Sequence, residues 1–135
     1  MADREKEIQA KAIHFQVLQD NLRGLQEREE QLIRHLGELN GTRLAIEELK
    51  DSKEGDSLIP IGSGNFLFGK VADTKNIIVS IGGAIAVKKN REQALEMVES
   101  RIKEVEKFVD EVTEQGQNII AQLSQLRSEI ERLEK

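Results

Sequence analysis

Apolar residues recur on a seven-residue repeat along the start of the chain. Positions 8, 15, 22, 29, 36 and 43 read Ile, Phe, Leu, Glu, Leu and Arg, and positions 11, 18, 25, 32, 39 and 46 read Lys, Leu, Leu, Leu, Leu and Ile. Nine of these twelve are apolar, which predicts a helix over 1–50 with a coiled-coil seam. Gly24, Gly37 and Gly41 interrupt it, each costing about 1 kcal/mol relative to Ala inside a helix. Asn40-Gly41 is also a turn-forming pair, so a bend there is the alternative to a continuous helix.

The repeat returns over 91–135 in cleaner form. Positions 95, 102, 109, 116, 123 and 130 read Leu, Ile, Val, Gly, Leu and Ile, and positions 98, 105, 112, 119, 126 and 133 read Val, Val, Val, Ile, Leu and Leu. Gly116 is the single gap in twelve. Asn90 stands where an N-cap belongs, and Gln93 follows at capping-box spacing.

The period changes between the two helices. Residues 57–90 carry Gly62, Gly64, Gly69, Gly82 and Gly83 among short runs of Ile, Val and Phe. Apolar runs bounded by turn residues read as strands, here 58–61, 65–71, 76–81 and 84–88. Gly62-Ser63-Gly64, Asp73-Thr74-Lys75 and Gly82-Gly83 supply the turns, so two hairpins result. Residues 51–56 read as a charged loop leading into them.

The expected organisation is therefore α+β in three parts: helix 1–50, linker and hairpins 51–90, helix 91–135. Seams of equal length let the helices lie antiparallel, with Ile8 near Leu133 and Leu49 near Ala94. Ile77-Ile78-Val79 is apolar on consecutive residues and so expects cover on both faces. Four short strands cannot cover themselves, and open strand edges invite pairing. Self-association through the strands follows.

Composition narrows the function. Only 3% of the residues are aromatic and 33% are charged, unlike a conventional enzyme core. There is no cysteine, which excludes disulfides and Cys-ligated zinc. The net charge of −5 argues against nucleic acid. The longest near-apolar run, 77–87, is too short to span a membrane, and the first residues do not read as a signal peptide. A cytoplasmic setting is expected.

Several motifs tempt. Residues 64–70 satisfy G-x-x-x-x-G-K, but Val71 stands where a Ser or Thr should hold magnesium, and the interior is Phe66-Leu67-Phe68. Ile85-Ala86-Val87-Lys88 imitates a kinase strand without any of the other kinase signatures. His14 and His35 lack the spacing of metal ligands. No nucleophile has a base beside it. No enzyme, cofactor or metal is expected. Ile13 and Val17 fall outside the seam, and Ile120 less sharply so. A wider apolar stripe or register shift would explain them, as would apolar surface kept free for binding non-native polypeptides.

The order of helix, double hairpin and helix closely resembles the prefoldin α-class subunit of the archaeal type. The likeness lies in Ile59-Pro60-Ile61-Gly62-Ser63-Gly64, Ile81-Gly82-Gly83 and Val87-Lys88-Lys89. It implies a hexamer of two α-class and four β-class subunits joined through intersubunit β-barrels, with six coiled coils hanging down. Phe66, Phe68, Val71, Ile77, Val79, Ile81, Ile85 and Val87 would build the barrel. Ile8, Ile13, Phe15, Ile130 and Leu133 at the coil tips would meet unfolded clients, held without ATP and passed to a group II chaperonin. The competing expectation is a coiled-coil scaffold or filament-forming relative, since rings and filaments differ only in whether the interface closes.

Overall fold

A computed structural model describes residues 2–49 and 55–135. The order is α1 (Ala2–Glu48), β1 (Gly55–Gly62), β2 (Asn65–Val71), β3 (Asn76–Gly82), β4 (Ile85–Asn90) and α2 (Arg91–Glu134). Of the expected charged loop, residues 51–54 lie outside the described residues, while Gly55 and Asp56 already belong to β1. Two compact units emerge, one from residues up to Leu36 with Glu104–Lys135, the other from Gly37–Lys103.

The heptad seam decides which helical positions are covered. All twelve seam positions of α1 are buried or half-buried, including the polar Lys11, Glu29 and Arg43, and all twelve of α2 are covered as well. In the first unit the core side chains are Leu18, Val105, Val112 and Leu126. Its cross-helix contacts run antiparallel: Leu22 lies against Gly116, and the Thr113 hydroxyl donates to Glu29 Oε1 at 3.4 Å. Near the chain termini Lys11 Nζ donates to Glu129 Oε2 at 2.7 Å, and Arg4 to the Leu133 carbonyl. Two of the polar seam residues thus have partners across the seam.

The second unit has its own core of Leu39, Ile46, Ala94, Val98 and Ile102. The Arg91 guanidinium donates to the Leu49 carbonyl at 3.4 Å, beside the hollow lined by Ile46 and Leu95. The expected capping box forms at the start of α2. Gln93 N–H donates to Asn90 Oδ1 at 2.8 Å and Asn90 N–H to Gln93 Oε1 at 3.2 Å. Both bonds satisfy amides that a helix start leaves orphaned. Arg43 is the exception along the seam. Its Nε is buried with no hydrogen-bond partner among the described residues.

Each hairpin is a separate two-stranded antiparallel sheet, β1 with β2 and β3 with β4. The same device closes both. Gly62 pairs with Asn65 and Gly82 with Ile85, after a one-residue bulge at Ile61 and at Ile81. The two central residues of each turn have positive φ, 53° and 78° at Ser63-Gly64, 60° and 61° at Gly83-Ala84. This is the turn that matches strand twist. Ala84 therefore belongs to the turn rather than to the fourth strand, and it adopts a conformation that L-residues rarely take.

The link between the hairpins is an Asx turn. Asp73 Oδ1 accepts from the N–H groups of Lys75 (2.8 Å) and Asn76 (3.1 Å), and Oδ2 accepts from Asn76 Nδ2 at 2.8 Å. These bonds, led by the one from the Asn76 side chain, hold the Asp73 carboxyl below its usual range. Arg91 N–H donates to the Lys75 carbonyl at 2.8 Å, and Arg101 to the Ser80 carbonyl at 2.8 Å. The second hairpin is thereby tied to the first turns of α2.

Two substitutions test this arrangement by urea unfolding. Asn90→Ala removes half the capping box and should cost about 1 kcal/mol. Arg43→Leu replaces an unsatisfied buried donor with an apolar seam residue and should stabilise by about 1–3 kcal/mol. A loss of stability in the second variant would mean that Arg43 does have a partner.

Candidate interaction surfaces

The hairpins expose what a chain of this size would normally bury. In β1–β2, Leu58 pairs with Phe68 and Pro60 with Phe66, so these four side chains share one face. Ile59 pairs with Leu67 and Gly55 with Val71, which share the opposite face. Both faces are open: Phe66 is 54% exposed, Phe68 91%, Leu58 56% and Leu67 54%. The expected barrel residues Phe66 and Phe68 thus lie together, and Val71 lies on the reverse side. Gly69 is half-buried, and a Cβ there would collide with the end of the Ile59 side chain.

The second hairpin is unequal. Val79 pairs with Val87 and Ile77 with Lys89, and the apolar three of these are half-buried. The reverse face carries Ile78, 67% exposed, and Ile81 and Ile85 stand exposed at the turn end. Leu58, Ile59, Ile61, Leu67 and Ile78 were not among the expected barrel residues. The signal for them is present in the sequence. Leu58-Ile59, Phe66-Leu67-Phe68 and Ile77-Ile78-Val79 are apolar at consecutive positions, and alternation then puts apolar groups on both faces.

The segment 64–70 is no phosphate loop. Residues 65–71 form β2, whose backbone pairs with β1, and β3 follows rather than a helix. Among the described residues no group of three or more His, Asp or Glu could hold a metal ion, and no helix is long and apolar enough to cross a membrane.

Near the chain termini the five expected client residues divide into three places. Ile8 and Leu133 line one shallow hollow with Arg4, Glu5 and Glu134. Phe15 and Ile130 line a second with Gln19, Arg127 and Glu131. Ile13 stands apart, 62% exposed, on the outer side of α1. Val17 lies one turn further along that side at 49% exposure, so the pair forms a small apolar strip. Ile120 is also exposed.

The ion pair between Lys11 and Glu129 lies beside these hollows. Its hydrogen bond, and then its charge, holds the Glu129 carboxyl below the usual range. The same bond raises the Lys11 ammonium. The carboxylate's contribution is complete above the unfolded value near 4.5 and is lost as pH falls through the lower folded value. The ammonium's contribution is complete below 10.5 and is lost as pH rises through its higher folded value. A carboxyl NMR titration should place the Glu129 midpoint below 4.5 and return it toward 4.5 in Lys11→Met. An unmoved midpoint would show that the pair does not form in solution.

Comparison with known proteins agrees with this architecture. The family model for prefoldin subunits matches residues 18–135, a span that starts beyond Ile8, Ile13 and Phe15. The prefoldin subunit alpha of Pyrococcus horikoshii is 34% identical over 134 residues, covering 98% of this chain and 88% of that protein. Prefoldin subunit alpha 1 of Thermococcus kodakarensis is 38% identical over 105 residues, covering 77% and 72%. A chain of the filamentous PFD of Methanocaldococcus jannaschii, determined by cryo-EM, superposes with a TM-score of 0.75 at 24% identity, over 85% of this chain and 96% of that one. Helix, double hairpin and helix, the matched family span and these relatives agree, and the chain belongs to the prefoldin family as an α-class subunit of the archaeal type.

Proposed function

We propose that this chain is a subunit of an ATP-independent chaperone that assembles through its hairpins and holds unfolded polypeptides at its coil ends. The family is one of chaperones. One observation carries the assembly half of the reading: apolar side chains stand open on both faces of the first hairpin and on the outer face of the second. Covering them against related subunits stabilises by about 25 cal/mol for each Å² of apolar surface removed from water. In this reading Phe66, Phe68, Val71, Ile77, Val79, Ile81, Ile85 and Val87 join Leu58 and Ile78 in intersubunit β-barrels. The assembly is a hexamer of two α-class and four β-class subunits, located in the cytoplasm.

The holding half rests on the surfaces near the termini. The Ile8–Leu133 and Phe15–Ile130 hollows are shallow and edged by charged residues, and the Ile13–Val17 strip is only two side chains wide. None could bind a folded partner tightly. Several such patches from several subunits acting on one unfolded chain gain by avidity what each lacks alone. Passive release of that kind suits transfer to a group II chaperonin without nucleotide hydrolysis.

A second reading has its own support, because a structural relative is filamentous. The same strands would then build an open polymer whose function is structural. Mixing the chain with a β-class subunit, then measuring native mass and suppression of aggregation of a denatured protein, separates the two. The chaperone reading expects a discrete hexamer that protects the client. Ile13→Ser with Val17→Ser should weaken protection several-fold at unchanged mass, and Phe68→Asp with Ile78→Asp should abolish assembly. A concentration-dependent polymer without protection would favour the scaffold, and protection unaffected by the Ile13 and Val17 changes would remove the strip from the client site.

A further inference from the structure

Helix-weakening features of α1 gather in two of its turns. Gly37 and Gly41 are exposed one turn apart, and a Cβ at either would meet nothing within 4 Å. Neither has a positive φ, so neither packing nor backbone conformation calls for glycine there. Asn40, between them, is a weak helix former. The Thr42 hydroxyl donates to the Glu38 carbonyl at 3.0 Å, a back-bond that loosens and bends helices. Arg43 then occupies a seam position with its Nε buried and unpartnered. Residues 94–112 of α2 offer the contrast: they contain no glycine and bury Ala94, Val98, Ile102, Val105 and Val112.

We propose that residues 37–43 are a built-in flexure of α1, a segment whose helical hydrogen bonds open locally so that the helix bends at one defined place. Each feature is modest alone. Two exposed glycines weaken the helix by about fivefold each in the local opening equilibrium. The back-bond competes for a carbonyl within the same turn, and the Arg43 layer removes apolar cover from the seam side. Helices bend sharply where such causes coincide and curve gently elsewhere. Gly24 is equally exposed with nothing within 4 Å, but it has no neighbouring glycine or back-bond, which makes it the internal control. The inference does not depend on whether the chain binds unfolded polypeptides.

Hydrogen exchange on the full-length chain in its native assembly tests the opening. Amides of 38–45 should exchange faster than those of 102–112. Gly37→Ala with Gly41→Ala should slow the first set by about 25-fold, the product of two fivefold steps. Because the chain has no cysteine, spin labels at the exposed positions Asn21→Cys and Glu47→Cys, which bracket both Gly24 and residues 37–43, can report bending directly. Twenty-six residues of straight helix separate these sites by about 39 Å. A broad distance distribution that narrows in the Gly37→Ala, Gly41→Ala variant, and stays broad in Gly24→Ala, is the expected result. Equal exchange in the two segments, a narrow distribution in the parent chain, or equal narrowing by Gly24→Ala would each overturn the flexure.

Discussion

The constraint on which the rest depends is the lack of cover over the hairpins. An isolated two-stranded hairpin is at best marginally stable in water, and here there are two, each a sheet of its own. The local devices are good ones: a matched turn at each tip, the Asp73 turn between them and a capping box where β4 passes into α2. None of these buries Phe68 or Ile78, and among the described residues no other element pairs with either sheet. The hairpins are thus specified locally, and their open apolar faces are what the proposed assembly would cover.

The coil solves the opposite problem. Its seam is thin, and among the described residues only Ala94 of its core side chains reaches 0% exposure. Stability is therefore spread along many half-covered layers rather than concentrated in one core. This leaves room for polar residues at seam positions. Lys11 pairs with Glu129 near the termini and Glu29 accepts from Thr113, so those layers trade apolar burial for fixed cross-helix partners, as polar seam residues do when they set register. Arg43 has no such compensation at its Nε, and it falls beside the two outward glycines.

Much of this was legible in the sequence because heptads, capping boxes and turn residues act over a few residues. The seam positions read from the repeat are all covered, polar ones included, although Ala94, off the seam, is buried more completely than any of them. Asn90 and Gln93 make the predicted reciprocal bonds. What escaped was set by geometry the pattern does not encode. The bulges at Ile61 and Ile81 shift the register by one, and Ala84 passes from strand to turn as a result. Lys11 looked like a gap until Glu129, distant in sequence, met it. The expected barrel set takes Phe66 and Phe68 from one face of β2 and Val71 from the other but nothing from β1, and it omits Leu67 and Ile78, although consecutive apolar residues announce two buried faces. Of the five residues expected to meet clients, the seam brings four together as two pairs, and it leaves Ile13 with Val17 on the outer side.

The most direct test of the central claim is amide exchange in the strands as a function of protein concentration, read alongside mass. If the hairpins depend on other chains for cover, protection of the amides of Phe66–Phe68 and Ile77–Val79 rises and falls with assembly, while the α2 amides around Val105 change far less. Strand amides equally protected in a dilute monomer would contradict the account, because the hairpins would then be complete without a partner.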